Sequence, residues 1–551
     1  MNIGYRENTV PKVSQLYLYP NYMGYNDDKL FYASNAKNGA GRWYLVRQID
    51  TPADGTNDWA LHVWDGTTPA TSGDHWTMVA NENWTTPPMT STNIALAHRD
   101  TERMVCAWDD ENNTLHFCAL HFRGTDTGAN YNNVVMTPST GTGADTWTGR
   151  GAASSKNVIN QAFVNHGGDA VDNTAAGNWP IQMDRFSMAV EPAHAATTTW
   201  PRVWISFPYS ANNTDISYYA NCSTSADFNT WEEDTGTEDW GASDSSAGTT
   251  EASSTITDYM ALVADSNWNI ASGTGETQNL HDDAYCKLVT GKTSNVPFVG
   301  LAYTDGNERW YYIERSTAAA PTAGSPGFGA AVNIIDPGET TAEANGVSHH
   351  IHIKSYLPGN AGTTHNLVFC GKTADHKLRI CARTGATWTT ALSTQTTNYG
   401  WYNPVIDPIT ENIFVFAQNN YSTDFADTGR SVDLRVINKD TLSGTISDWT
   451  PVIQQDSETV MLAPLIGNST ITPDGKIVVF STMQGASSFN WDGAVTAEAA
   501  AFYHAWNQID QSLYTNVDTG QGSISSIVMT SPTAGEVVTI GESVSITWTT
   551  S

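Results

Sequence analysis

Charge is scarce in this chain: Asp, Glu, Lys and Arg make up 15% of its 551 residues, with 26 Lys and Arg against 57 Asp and Glu. The formal charge of −31 excludes nucleic acid and anionic membrane surfaces as partners, because both are held through Lys/Arg footprints. No run of about 18 or more apolar residues occurs, so no helix is expected to insert in a membrane. The opening MNIGYRENTVPKVSQ lacks the basic and apolar regions of a signal peptide. Removal of a signal, a different export route, or assembly into a virion inside a host would each account for that. Catalytic signatures are missing as well. There is no GxSxG, no P-loop, no HExxH and no GxGxxG leading into a helix, which excludes the hydrolase, nucleotide-binding and zincin chemistries tied to them.

Gly, Thr, Ser and Asn are abundant, as are aromatics, with 20 Trp and 22 Tyr. That is the make-up of a turn-rich all-β chain: threonine and aromatics fill strands, while Gly, Asn and Asp fill turns. The length allows a large core and more than one domain.

Seven apolar hairpins recur, each an apolar strand, a polar turn and an aromatic or β-branched return strand. They span Lys29–Gln48, Arg103–Phe122, Arg202–Cys222, Phe298–Ser316, Asn366–Arg383, Asn412–Asn438 and Lys476–Trp506. A short strand precedes most of them: NIALAHRD, DRFSMAV, DDAYCKLV, SHHIHIKSY, WYNPVID and GNSTITPDG. Trp-bearing segments follow several: ADTWTG, FNTWEE, GATWTT and SDWTPV. Four such strands make one blade, so residues 1–522 read as a seven-bladed β-propeller. Ring closure is expected to join a strand near Gln15–Tyr19 to a late strand.

Cys106 and Cys118 lie on the two strands of the second hairpin, and Cys370 and Cys381 on those of the fifth. Aligning LHFCAL with LRICAR puts both pairs at equivalent positions. Two cross-strand disulfides are expected, in keeping with an oxidising compartment; the alternative is four buried thiols packing as small hydrophobes. Cys222 and Cys286 remain for a bridge between the third and fourth units.

STSADFNTW (Ser223–Trp231) resembles the Asp-box of sialidase-type propellers, with the usual Gly missing. From about Gly346 to Met483, the order SHHIHIK, LVFCGKT, LRICARTGATWTT, NPVIDPITENIFVFA and TPDGKIVVFST resembles secreted BNR-repeat propellers. That broad group includes propeller polysaccharide lyases, such as those acting on ulvan. Residues 523–551, with SPTAGE and then IGESVSITW, resemble the opening of an Ig-like repeat of bacterial and archaeal surface proteins. An Ig-like sandwich needs about a hundred residues, so the natural protein is expected to continue into a longer multi-domain or fibrous assembly.

Catalytic candidates sit on the expected inner strands: His98 and Arg99, Arg185, and His350 with His352. His350, His352 and Lys354 alternate onto one strand face. His, Arg and Lys together would suit the base, acid and carboxylate-neutralising cation of a polysaccharide lyase. The competing reading is a polar, solvated channel lining. Trp401, Tyr399, Asn403 and Lys354 are the ligand-binding candidates. His350 and His352 on one face, or Asp282 and Asp283 with the acidic loop Trp231–Asp239, are the metal candidates. Calcium is the one cofactor these suggest, and none is required. Most Trp are expected to pack between strands, leaving Trp84, Trp179, Trp240, Trp268 and Trp401 as loop candidates for stacking on sugars. The expectation is an extracellular, cell-surface or virion propeller that recognises a carbohydrate or cell-surface glycan. The alternative is an enzyme degrading an acidic polysaccharide, most plausibly by elimination.

Overall fold

The computed structural model describes residues 14–15, 29–49, 58–64, 76–81, 104–122, 129–138, 147–149, 156–159, 187–194, 200–210, 216–222, 261–266, 286–304, 310–316, 328, 332–334, 351–360, 362–372, 378–392, 399–419, 431–438, 442, 449–454, 459–466, 475–485, 502–511, 527–531 and 547–550. The chain is all-β in a propeller-like arrangement, with one four-residue helix, α1 (Ala36–Gly39), among the described residues.

Strand β1 (Ser14–Gln15) comes first and is used last. Sheet I holds β2 (Leu30–Ala33), β3 (Arg42–Ile49), β4 (Asp58–Trp64) and β5 (Trp76–Asn81). Sheet II holds β6 (Met104–Asp109), β7 (Thr114–Phe122), β8 (Ala129–Pro138), β9 (Trp147–Gly149) and β10 (Lys156–Ile159). Sheet III holds β11 (Ser187–Glu191), β12 (Arg202–Ser210), β13 (Ile216–Cys222) and β14 (Ala261–Ser266). Sheet IV holds β15 (Cys286–Thr293), β16 (Val296–Thr304), β17 (Trp310–Ser316) and β18 (Val332–Asn333). Sheet V holds β19 (His352–Tyr356), β20 (Asn366–Lys372), β21 (Leu378–Thr384) and β22 (Thr387–Leu392). Sheet VI holds β23 (Tyr399–Ile406), β24 (Asn412–Asn419), β25 (Ser431–Asn438) and β26 (Thr450–Gln454). Sheet VII holds β27 (Thr459–Ile466), β28 (Lys476–Gly485) and β29 (Phe502–Asp510), with β1 as its outer strand through Ser14↔His504 and Gln15↔Tyr503. Two further strands, β30 (Ile527–Ser531) and β31 (Thr547–Thr550), pair with each other.

All seven hairpins read from the sequence pair antiparallel. One first strand differs from expectation. Sheet VII begins with β27, upstream of GNSTITPDG: TVMLAPLI is a nearly continuous apolar run, whereas GNSTITPDG is rich in turn residues. NIALAHRD lies outside the described residues.

The period-two alternation of each strand feeds two interfaces at once. On β24, Ile413, Val415 and Ala417 pack toward sheet V, while Phe414 and Phe416 pack toward sheet VII. On β16, Val299, Leu301 and Tyr303 join sheet III, while Phe298 and Ala302 join sheet V. Strands sandwiched this way read as unbroken apolar runs, each fully buried large side chain contributing about 1.5–3 kcal/mol. Val478 of sheet VII packs with Leu30, Trp43 and Leu45 of sheet I. Phe31 of sheet I stacks on Trp108 of sheet II at 4.9 Å, and β6 touches β11. Each sheet therefore meets the next in chain order, and the last meets the first. Strands β11, β15, β19, β23 and β27 touch in that same succession.

Both expected disulfides are corrected by register. Cys381 lies opposite Phe369 and Cys370 opposite Ile380; likewise Cys106 lies opposite Phe117 and Cys118 opposite Val105. Each pair is one residue out of step, and on β20 and β21 this directs the two sulfurs to opposite faces of the sheet. Cys370 faces sheet VI, its Sγ 3.5 Å from the Tyr402 carbonyl oxygen, whereas Cys381 faces sheet IV, 3.8 Å from the Ile334 carbonyl oxygen. Cys106, Cys222, Cys286, Cys370 and Cys381 are all buried, and none of them is joined in a disulfide. Cys222 and Cys286 share the interface of sheets III and IV, but Cys286 meets Ser206 on β12 (3.6 Å) and Cys222 sits on β13.

Candidate functional site

Strand β23 departs from regular pairing at the point where the sequence placed its ligand residues. Register passes from Gly400↔Gln418 to Asn403↔Phe416, so Trp401 and Tyr402 stand against the single residue Ala417. Strand β27 repeats the feature: between Met461↔Met483 and Pro464↔Ser481, Leu462 and Ala463 oppose Thr482 alone. The two stretches read GWYNPVI and VMLAPLI, each with a proline after the bulge (Pro404, Pro464). Bulges bend a strand, interrupt its ladder and re-aim side chains, and they gather at functional rims. Here they fall on two first strands that touch each other.

Three of the expected residues lie on β19 and β23, two strands that touch each other. His352 begins β19 opposite Cys370 and is buried, Lys354 is half-buried opposite Val368, and Asn403 is buried opposite Phe416. The Cys370 contact with Tyr402 joins the His352 strand pair to the bulge that holds Trp401. His98, Arg99, Arg185, His350, Asp282 and Asp283 lie outside the described residues, as do the acidic loop, the Asp-box-like stretch and Trp84, Trp179, Trp240 and Trp268. Among the described residues, no cluster of three or more His, Cys, Asp or Glu is placed to hold a metal ion.

Tyr399 is committed to an internal partner. Its hydroxyl donates to Asp433 Oδ2 at 2.6 Å. Asn419 Nδ2 donates to the same oxygen at 3.1 Å, and Ser431 Oγ donates to Oδ1 at 2.5 Å. Asp433 stands opposite Ala417, whose short side chain leaves room for this gathering. Burial pushes the Asp433 carboxyl above the usual carboxylate range, and its three donors offset only part of that. Burial first, then the bond to Asp433, drives the Tyr399 hydroxyl well above the ordinary phenol value. Its ring lies flat on Trp449, 4.3 Å between centroids, and the Arg435 guanidinium sits over the same indole at 5.9 Å. Tyr399 therefore keeps its proton, and the cluster fastens the adjoining ends of β23, β24 and β25. Asp433 escaped the sequence reading, although a lone carboxylate inside SVDLRVIN is a signal of a buried polar anchor.

A second buried group ties sheets III and IV. Glu191 Oε2 accepts from Trp204 Nε1 (2.6 Å), Arg202 Nη1 (3.3 Å) and Arg315 Nη1 (3.4 Å). Arg383, at the register position in sheet V that Arg315 holds in sheet IV, reaches Glu314 at 2.5 Å and lies over Phe298 and Tyr312. These are latches between neighbouring sheets.

No protein family matches the sequence, and no curated protein matches it. Similar solved structures are distant. The phage phi92 endosialidase is 11% identical, with TM-score 0.40, over 91% of this chain and 69% of that one. A fungal lectin from Aleuria aurantia, described as a six-bladed β-propeller with a fucose recognition mode, is 11% identical, with TM-score 0.30, over 72% of this chain and 93% of that one. A prolyl endopeptidase is 10% identical, with TM-score 0.35, over 83% of this chain. The chain spans about half, 47%, of that enzyme's length.

Proposed function

We propose that residues 1–522 form one seven-bladed β-propeller that binds glycans at the end of the ring where its first strands begin. The observation carrying this reading is the matched pair of bulges on β23 and β27, with Trp401 in one of them. In a ring built by rotating one meander sheet, the first strands run the same way. The segments joining one sheet to the next then arrive at a common end. Arg185, His350, Trp84, Trp179 and Trp268 belong to such joining segments by their place in the chain. An aromatic face paired with polar groups is what sugar rings and their hydroxyls require. Because His352 is buried and Tyr399 is held by Asp433, binding is favoured over elimination chemistry. The proposal extends to an extracellular, cell-surface or virion setting, with residues 523–551 opening an Ig-like module.

The direct experiment is a glycan array probed with the full chain, including acidic polysaccharides. Selective, saturable binding to a set of glycans supports the reading, and a uniformly blank array contradicts it. The blade count is tested separately by deleting residues 1–15, which removes β1 from the edge of sheet VII. Loss of about 1–3 kcal/mol in unfolding free energy supports closure by β1, and an unchanged value contradicts it.

A further inference from the structure

Sheets IV and V are joined by a clasp of turn residues. The tight turn between β15 and β16 has Ser294 and Asn295 at φ 51° and 67°, the left-handed pair that a two-residue hairpin demands. Its tip lies along residues 363–365, which lead into β20. Lys292 and His365 bond twice: the His365 N–H donates to the Lys292 carbonyl at 2.7 Å, and the Lys292 N–H donates to His365 Nδ1 at 2.9 Å. The Asn295 N–H donates to the Thr363 carbonyl at 2.8 Å, and the Ser294 N–H to Thr364 Oγ1 at 3.0 Å. Ser355 Oγ donates to the Thr290 carbonyl at 2.5 Å. Gly291 makes the approach close, since a Cβ there would lie 3.1 Å from His365 Cβ and 2.5 Å from the Phe298 ring.

One member of this clasp is an imidazole acting as acceptor, a role open only to its neutral form. We propose that the Lys292–His365 clasp is an acid-released latch, which opens the seam between sheets IV and V when His365 is protonated. A proton on Nδ1 would face the Lys292 N–H head-on, donor against donor. Of the groups around the ring, β15 supplies the Lys292 ammonium, which repels the imidazolium. The turn, β16 and β19 supply the uncharged Ser294, Asn295, Phe298 and Ser355. Burial lowers the His365 pKa to about 4, Lys292's charge adds to this, and the Lys292 main chain offsets a part. The folded latch thus holds fewer protons than the unfolded chain between that value and the ordinary histidine range, about 6.5. Its contribution is present above that range and is lost as pH falls through it.

The test is amide hydrogen exchange of the full chain, corrected for intrinsic rates, from about pH 7 down to about pH 4. Protection of the Lys292, Ser294 and Asn295 amides should fall by about tenfold or more while the β24 amides keep theirs. In His365→Gln the step should vanish. In Thr364→Val, which keeps the imidazole, protection should be lower throughout and the step should persist. Protection that stays constant in the wild type, a step that survives in His365→Gln, or simultaneous loss at β24 would each overturn the proposal.

Discussion

Cys370 and Cys381 stand on hydrogen-bonded neighbouring strands, yet one sulfur faces sheet VI and the other faces sheet IV. A disulfide needs its two Cβ atoms about 3.5–4.5 Å apart on one side of the sheet. The one-residue offset denies that without any distortion of the ladder. Mass spectrometry of the protein, denatured and alkylated without reductant, should find Cys106, Cys222, Cys286, Cys370 and Cys381 all labelled. Reductant should leave the melting temperature unchanged. A linked peptide containing Cys370 and Cys381 would contradict the register.

Glu191 Oε2 accepts from two buried guanidinium groups and an indole N–H. Glu191→Ala strands positive charge between sheets III and IV and should cost about 3–5 kcal/mol in a denaturant titration. Glu191→Gln keeps an acceptor oxygen for Trp204 and should cost less. Equal losses for the two variants would mean that charge is not what the site uses.

The legible part of this molecule was its repetition. Apolar runs such as those in NLVFCGK and NIFVFAQ, punctuated by polar turns, located all seven hairpins because packed strands must be apolar on both faces. What alternation does not encode is register across a hairpin. The disulfides were misread for that reason: a shared alignment of LHFCAL with LRICAR is compatible with either face. Tyr399, Trp401 and Asn403 lie within five consecutive residues, so their nearness was plain in the sequence, whereas the bulge between them is a mismatch between two strands and was not. Asp433 was missed because its donors, Tyr399, Asn419 and Ser431, are scattered along the chain and converge only in the folded sheet.

Asp433 should make itself felt through pH with a sign opposite to that of His365. Its folded carboxyl holds a proton more tightly than the unfolded one. Between the ordinary aspartate value, about 3.9, and its raised folded value, the native state is therefore the more protonated, and stability rises as pH falls. In urea titrations, the stability of the wild type minus that of Asp433→Asn should grow on acidification from neutral pH and level off near the ordinary carboxylate range. A difference that shrinks on acidification would show that Asp433 is held as a carboxylate.

Trp401 carries the functional reading, so its removal is the most direct measurement. On a glycan selected from the array, Trp401→Ala should weaken the affinity of the full chain by about 1–3 kcal/mol, the scale of one buried aromatic face. His352→Ala should leave that affinity nearly unchanged. Unaltered binding by Trp401→Ala would contradict the account. So would ultraviolet-absorbing unsaturated uronate released from an acidic polysaccharide and abolished by His352→Ala, which would make the protein a lyase rather than a binder.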